Sequence, residues 1–179
     1  MHPRTALLIV DVQHDFLPGG ALGVADGDAV IPALVAAAED ADVVVVSRDA
    51  HPADHCSFTE QGGIWPVHCV EGTHGAELHP AIAALEPDVR IAKATTREVD
   101  AYSAFDATGL AEELRARGVD QVVIGGLATD YCVRASALDA LREGFAVTVL
   151  ADGVRGVDVQ PGDSERALDE LRAAGATVR

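Results

Sequence analysis

The chain has 179 residues and a formal net charge of −16. That length predicts one domain, residues 1–179, able to bury a core without disulfides or a structural metal. The charge excludes a nucleic-acid partner and an anionic membrane surface, because phosphate binding needs clustered Lys and Arg.

In chain order, "ALLIV" (6–10) reads as a first strand running into Asp11. The stretch "MHPRTALLIVDVQ" has no small-residue cleavage site after its short apolar run, so it reads as a strand and not as a signal peptide. Asp28 to Asp40 has a helical pattern. "DVVVV" (42–46) is a second strand, leading to Ser47 and Asp49. Ala50 to Pro87 lacks helical or strand periodicity; with its His, Cys, Trp and Pro it reads as a functional loop. "VRIAK" (89–93) is a third strand ending in Lys93, and Asp106 to Arg117 is helical. "QVVIGG" (121–126) leads to Leu127 and Ala128, followed by a helix over Asp130 to Glu143. "FAVTVL" (145–150) leads to Ala151 and Asp152, and a last helix covers Asp163 to Ala174.

The strand runs are short, rich in Val and Ile, and nearly continuous, as in strands buried on both faces. Several helical segments open with Asp, which suits an N-cap or first turn. Gly118 and Gly144 follow two of them, as helix-ending glycines do. The alternation predicts an α/β fold: a three-layer α/β/α sandwich around a mostly parallel sheet. Ligands in such folds bind beyond the carboxyl ends of the strands. Asp11, Asp49, Lys93 and the segment before Cys132 all fall at such ends. No apolar run approaches the roughly eighteen residues of a membrane helix.

Three cysteines, Cys56, Cys69 and Cys132, form no CxxC pair. An odd count argues against a disulfide framework and for a reducing cytoplasm with at least one functional thiol. Cys132 lies where a strand turns into a helix. The helix dipole there favours thiolate, and backbone N–H groups can hold an oxyanion. A buried cysteine packing as a small hydrophobe is the competing reading. Asp11 could take the thiol proton and Lys93 could lower the thiol pKa; the two could equally form a structural ion pair.

Asp49, His51 and His68, with His55 as a further candidate, form a donor set for a divalent metal. Cys56 and Cys69 each follow a candidate histidine, so a thiolate-containing zinc site is a rival, and a polar loop is another. The Asp/His set is sufficient without the thiols, and adjacent side chains tend to point apart. His74 and His79 read as loop residues, and His2 receives no role. The aromatics are four Phe, two Tyr and one Trp. Of these, Phe16, Trp65 and Tyr102 could stack on a flat substrate or could simply cover the core.

Five segments carry a resemblance: "LLIVDVQHDFLPGGAL", "SRDAHPADHCSF", "WPVHCVEGTHGAELHP", "AYSAF" and "IGGLATDYCVRASALDAL". In order from about Ala6 to Asp152, they resemble the nicotinamidase (pyrazinamidase) branch of the isochorismatase-like cysteine hydrolases. The resemblance implies a catalytic triad of Asp11, Lys93 and Cys132. It implies one divalent metal on Asp49, His51 and His68, with His55 added in some members; zinc comes first, iron or manganese next. It also implies a cis peptide at Leu127–Ala128, an oxyanion held by the Ala128 and Cys132 N–H groups, and a substrate pocket of Phe16, Trp65 and Tyr102. The implied reaction hydrolyses nicotinamide, and by extension pyrazinamide, through a thioester, as a step of NAD salvage in the cytoplasm. Another small amide is the alternative substrate, and a non-catalytic metal-binding protein a more distant one. Two positions depart from the pattern: Ala50 replaces a frequent bulky aromatic, and Tyr131 replaces a frequent His. They bear on the exact amide more than on the reaction class. Association of copies through exposed helix faces is open.

Overall fold

The computed structural model describes residues 3–179, so His2 lies outside the described residues. Six strands form one parallel sheet in the order β3-β2-β1-β4-β5-β6. They are β1 (Thr5–Val10), β2 (Val43–Asp49), β3 (Val89–Lys93), β4 (Gln121–Leu127), β5 (Ala146–Arg155) and β6 (Thr177–Val178). The helices are α1 (Ile31–Glu39), α2 (Pro80–Ala83), α3 (Leu110–Ala116), α4 (Arg134–Arg142) and α5 (Asp163–Ala174).

The continuous apolar runs of β1 and β4 suit the two central strands, whose faces are both covered. Ala6, Leu8 and Val10 face α3, α4 and α5 through Leu114, Ala137 and Leu171. Leu7 and Ile9 face α1 and α2 through Leu34 and Ile82. These two cores give the three layers. Each fully buried Val, Leu or Ile contributes roughly 1.5–3 kcal/mol of transfer free energy. Gly126 is required where β1 and β4 meet: its φ is +123°, and a Cβ there would lie 2.1 Å from the Val10 carbonyl oxygen.

Several boundaries differ from the sequence expectation. β3 is an edge strand, so Arg90 and Ala92 are exposed and only Ile91 and Lys93 are buried. β6 is two residues long on the other edge, too short to leave a pattern. The first helical segment opens as a 3₁₀ turn over Gly27–Val30 before α1. The segment from Asp106 becomes helical only at Leu110, after Gly109 in the left-handed region. Asp163 alone sits in an α-helical first turn; Asp28, Asp106 and Asp130 precede their α-helices. Gly118 and Gly144 follow α3 and α4 with φ of +71° and +89°.

The segment 50–87 is irregular but tied down. Isolated bridges pair His51 with Val70, Phe58 with Trp65 and Gln13 with Leu78. The strand order reverses between β1 and β4, and that switch point opens the crevice beyond their carboxyl ends.

Candidate active site

Three adjacent strands deliver the charged residues to this rim. Asp11 follows β1, Asp49 closes β2 and Lys93 closes β3. Parallel register places Asp49 beside Lys93 and Val10 beside Ser47. Asp11 takes a left-handed φ of +50°, which turns its side chain out of the strand alternation. Cys132 comes from the far side of the switch point, within a single π-turn over Thr129–Val133 that leads into α4. A cis peptide joins Leu127 to Ala128 just before it.

Lys93 is the hub. Its Nζ lies 2.9 Å from Asp11 Oδ2, donates to Asp49 Oδ1, and stands 3.6 Å from Cys132 Sγ. All four residues are buried. Asp11 Oδ1 accepts from Ser47 Oγ at 2.6 Å. Asp11 Oδ2 makes a charge contact with Lys93 but no aligned hydrogen bond. It is therefore an acceptor with capacity to spare, on a carboxyl group of which one oxygen lies within 4.8 Å of Cys132 Sγ.

The protonation of this cluster follows from its burial. Burial works against the Lys93 ammonium, yet Asp11 and Asp49 hold its pKa well above the ordinary lysine value. Burial opposes the Asp49 charge as well, but Lys93 keeps that carboxyl well below the usual carboxylate range. Asp11 goes the other way: burial, helped by Asp49, pushes it up more than Lys93 pulls it down. Burial also pushes the Cys132 thiol well up, and Lys93 offsets only part of this. The helix-end environment expected to favour thiolate is thus outweighed by desolvation. The resting pair is a thiol beside a carboxyl group whose affinity for protons is enhanced.

Asp49 also faces a second group. Its Oδ2 lies 3.5 Å from His51 Nε2 and 3.9 Å from His68 Nε2. The His51 Nδ1–H points to the Ala94 carbonyl at 3.2 Å, and the His68 Nδ1–H to the Pro66 carbonyl at 2.8 Å. Those bonds fix the tautomer that leaves both Nε2 lone pairs facing one carboxylate oxygen, the arrangement metal-binding histidines adopt. This donor set fits a divalent metal. Asp11, Asp49 and Cys132 also lie close together, but the Lys93 ammonium already occupies the space between them.

His55 is not brought into the set. Its Nδ1 pairs with Ser57 Oγ at 2.8 Å and its Nε2 with the Val99 carbonyl at 3.1 Å, so both ring nitrogens are engaged. It stacks on His51 at 4.2 Å between ring centroids and supports that ring. Cys56, Cys69 and Cys132 are all free thiols. Cys69 Sγ contacts the Gly75 carbonyl, and burial drives its pKa well up; neither Cys56 nor Cys69 joins a ligand group.

The pocket beside these groups is lined by Phe16, Trp65, Tyr102 and Tyr131 together with Cys132, Asp49, His51 and His68. Trp65 Nε1 donates to the Tyr102 hydroxyl at 3.1 Å, and Tyr131 packs T-shaped against Trp65 and tilted against Tyr102. Phe16 packs against His68. Of the two departures from the family pattern, Tyr131 enters the pocket wall and Ala50 does not. Sequence reasoning gave no role to Gln13. Its buried amide donates to the Asp49 and Ala76 carbonyls at 2.8 and 2.9 Å and accepts from the Asp49 N–H at 2.8 Å. The available signal was a buried-type alternation, "IVDVQ", that ends on an amide.

Residues 5–179 match the family model described as an isochorismatase domain, and the chain belongs to that family. Nicotinamidase of Escherichia coli (strain K12) is 40% identical, over 98% of this chain and 94% of its own length. Pyrazinamidase of Pyrococcus horikoshii, solved in complex with zinc, superposes with a TM-score of 0.90 at 47% identity, covering 99% of each chain. PnC1 from L. infantum, solved with nicotinate, gives a TM-score of 0.93 at 38% identity over 98% of this chain and 92% of that one. Within the family, these likenesses lie in the nicotinamidase branch.

Proposed function

We propose that this chain, acting as one domain, hydrolyses nicotinamide to nicotinate and ammonia, and pyrazinamide likewise, through a thioester on Cys132. The observation that carries the reading is the Lys93 hub. It joins the Cys132 thiol and the shared Asp49 carboxylate, both of which line an aromatic-walled pocket, to the buried proton acceptor Asp11.

Cys132 Sγ attacks the amide carbon as Asp11 Oδ2 takes its proton, and the C–S bond forms. The oxyanion is met by the Ala128 and Cys132 N–H groups. Asp11 returns the proton to the amide nitrogen, the C–N bond breaks and ammonia leaves. Asp11 then takes a proton from water as the water oxygen attacks the thioester; the C–S bond breaks, nicotinate leaves, and Asp11 passes the proton to Sγ to restore the thiol. Lys93 stays charged throughout and stabilises the anionic sulfur. Trp65, Tyr102, Tyr131 and Phe16 hold the flat ring and exclude water. Asp49, His51 and His68 would hold one divalent ion, zinc by its donor preference. Such an ion supplies a Lewis-acidic anchor that orients the ring nitrogen.

The test is ammonia release from nicotinamide and from pyrazinamide by the zinc-loaded protein. Turnover of both, lost in Cys132→Ala, supports the reading. Turnover of another small amide with none of these two would replace the substrate and keep the reaction class.

A further inference from the structure

Away from the pocket, two short 3₁₀ turns, His14–Phe16 and His74–Ala76, pack against each other. Their imidazoles stack, with the His14 and His74 ring centroids 4.0 Å apart. Glu77 joins them, its Oε2 2.8 Å from His74 Nδ1. One ligand atom from each of His14, His74 and Glu77 falls within 4.8 Å of the others. We infer that these three residues form a second, peripheral site for a divalent transition-metal ion, separate from the Asp49 set.

Several observations converge on this site. The backbone joins the three residues before any metal is added: the His14 N–H donates to the Glu77 carbonyl at 3.0 Å, and the Glu77 N–H to the His74 carbonyl at 3.1 Å. The close approach of the turns requires Gly75, because a Cβ there would lie 2.1 Å from the Asp15 carboxylate. The groove alongside is lined by His14, His74, His79, Asp15 and Asp28, with no Lys or Arg. A chain of net charge −16 adds a field that draws cations. His79 is a neighbour and not a ligand: its Nδ1 accepts the Ala81 N–H at 3.2 Å, which leaves the proton on the outward nitrogen. Two imidazoles and one carboxylate, with water in the remaining positions, select zinc, copper or nickel over magnesium or calcium.

The site has a structural consequence. Phe16 of the first turn lines the pocket, and Ala76 of the second accepts from Gln13, which holds Asp49. A metal bridging the turns clamps the two segments that flank the reactive groups.

The experiment is a zinc titration of the metal-depleted protein, with magnesium present in excess. Wild type is expected to take two zinc ions per chain. His14→Ala/His74→Ala is expected to take one, with hydrolysis of nicotinamide by the singly loaded protein unchanged. The His74 and Glu77 side chains are 74% and 67% exposed, so the fold should tolerate their loss. Glu77→Gln should weaken the second equivalent at least tenfold. His51→Ala should lose the other equivalent and keep this one. A single equivalent in wild type, or two in the double variant, would overturn the site. Neither result bears on the Cys132 chemistry.

Discussion

Two groups of side chains share Asp49 and are built in opposite ways. Asp11 and Lys93 stand at the ends of β1 and β3, held by the ladder of the sheet, and Cys132 stands in the π-turn that follows β4. His51 and His68 sit on an irregular segment, each aimed by one hydrogen bond to a carbonyl. Ladder hydrogen bonds resist local change, whereas a loop carbonyl moves with its loop. The nucleophile should therefore survive changes in the loop that metal affinity does not, while changes at the hub should reach both groups.

The largest expected effect lies at Cys132. Cys132→Ala should lower ammonia release by about 10⁴-fold or more while leaving the fold and bound metal in place. Retained activity would move the chemistry off the strand-end group altogether. Next comes Lys93. Lys93→Ala leaves Asp11 and Asp49 buried without a counter-charge, and urea unfolding should show a loss of about 3–5 kcal/mol.

Asp11 offers the sharpest contrast with Lys93. Its folded-state pKa lies above the ordinary value, so the ionised form opposes folding. The stability it contributes is complete below the unfolded pKa and is lost as pH rises through the folded one. Asp11→Asn should therefore abolish hydrolysis, yet be no less stable than wild type at pH 7. Its stability should also fall less as pH rises from about 4. A loss of several kcal/mol at pH 7 would show the carboxylate to be net stabilising. The smallest effect belongs to the loop. Gln13→Ala removes the amide that holds the Asp49 backbone and should weaken metal binding about 10- to 100-fold. Alkylation of Cys132 by iodoacetamide should be unaltered; a parallel change in both would erase the distinction between the two groups.

The same division governs what could be read in the sequence. Val- and Ile-rich runs revealed β1 to β5, most clearly β1, β2 and β4, where burial on both faces leaves a continuous apolar signature. With the strand ends known, Asp11, Asp49 and Lys93 were visible as ionisable residues where none is otherwise needed. Strand order was not visible, so the meeting of Cys132 with Lys93 rested on the resemblance. The loop was the harder half. Nothing local distinguishes His55 from His51, since the difference is which carbonyl each ring finds: Val99 engages the one, while Ala94 leaves the other's Nε2 free. The raised thiol pKa was also hidden, because it depends on desolvation that the first-turn position of Cys132 does not report. The π-turn that carries Cys132 looked like ordinary helix.

The central claim is that Cys132, alone among three free thiols, carries the acyl group. It is tested most directly by mixing the zinc-loaded protein with nicotinamide, quenching in acid at successive times and mapping the peptides by mass. The account predicts a transient nicotinoyl adduct on the Cys132 peptide, formed as ammonia appears and lost as nicotinate appears, with Cys56 and Cys69 unmodified. Ammonia released while Cys132 stays unmodified at every time point would contradict it.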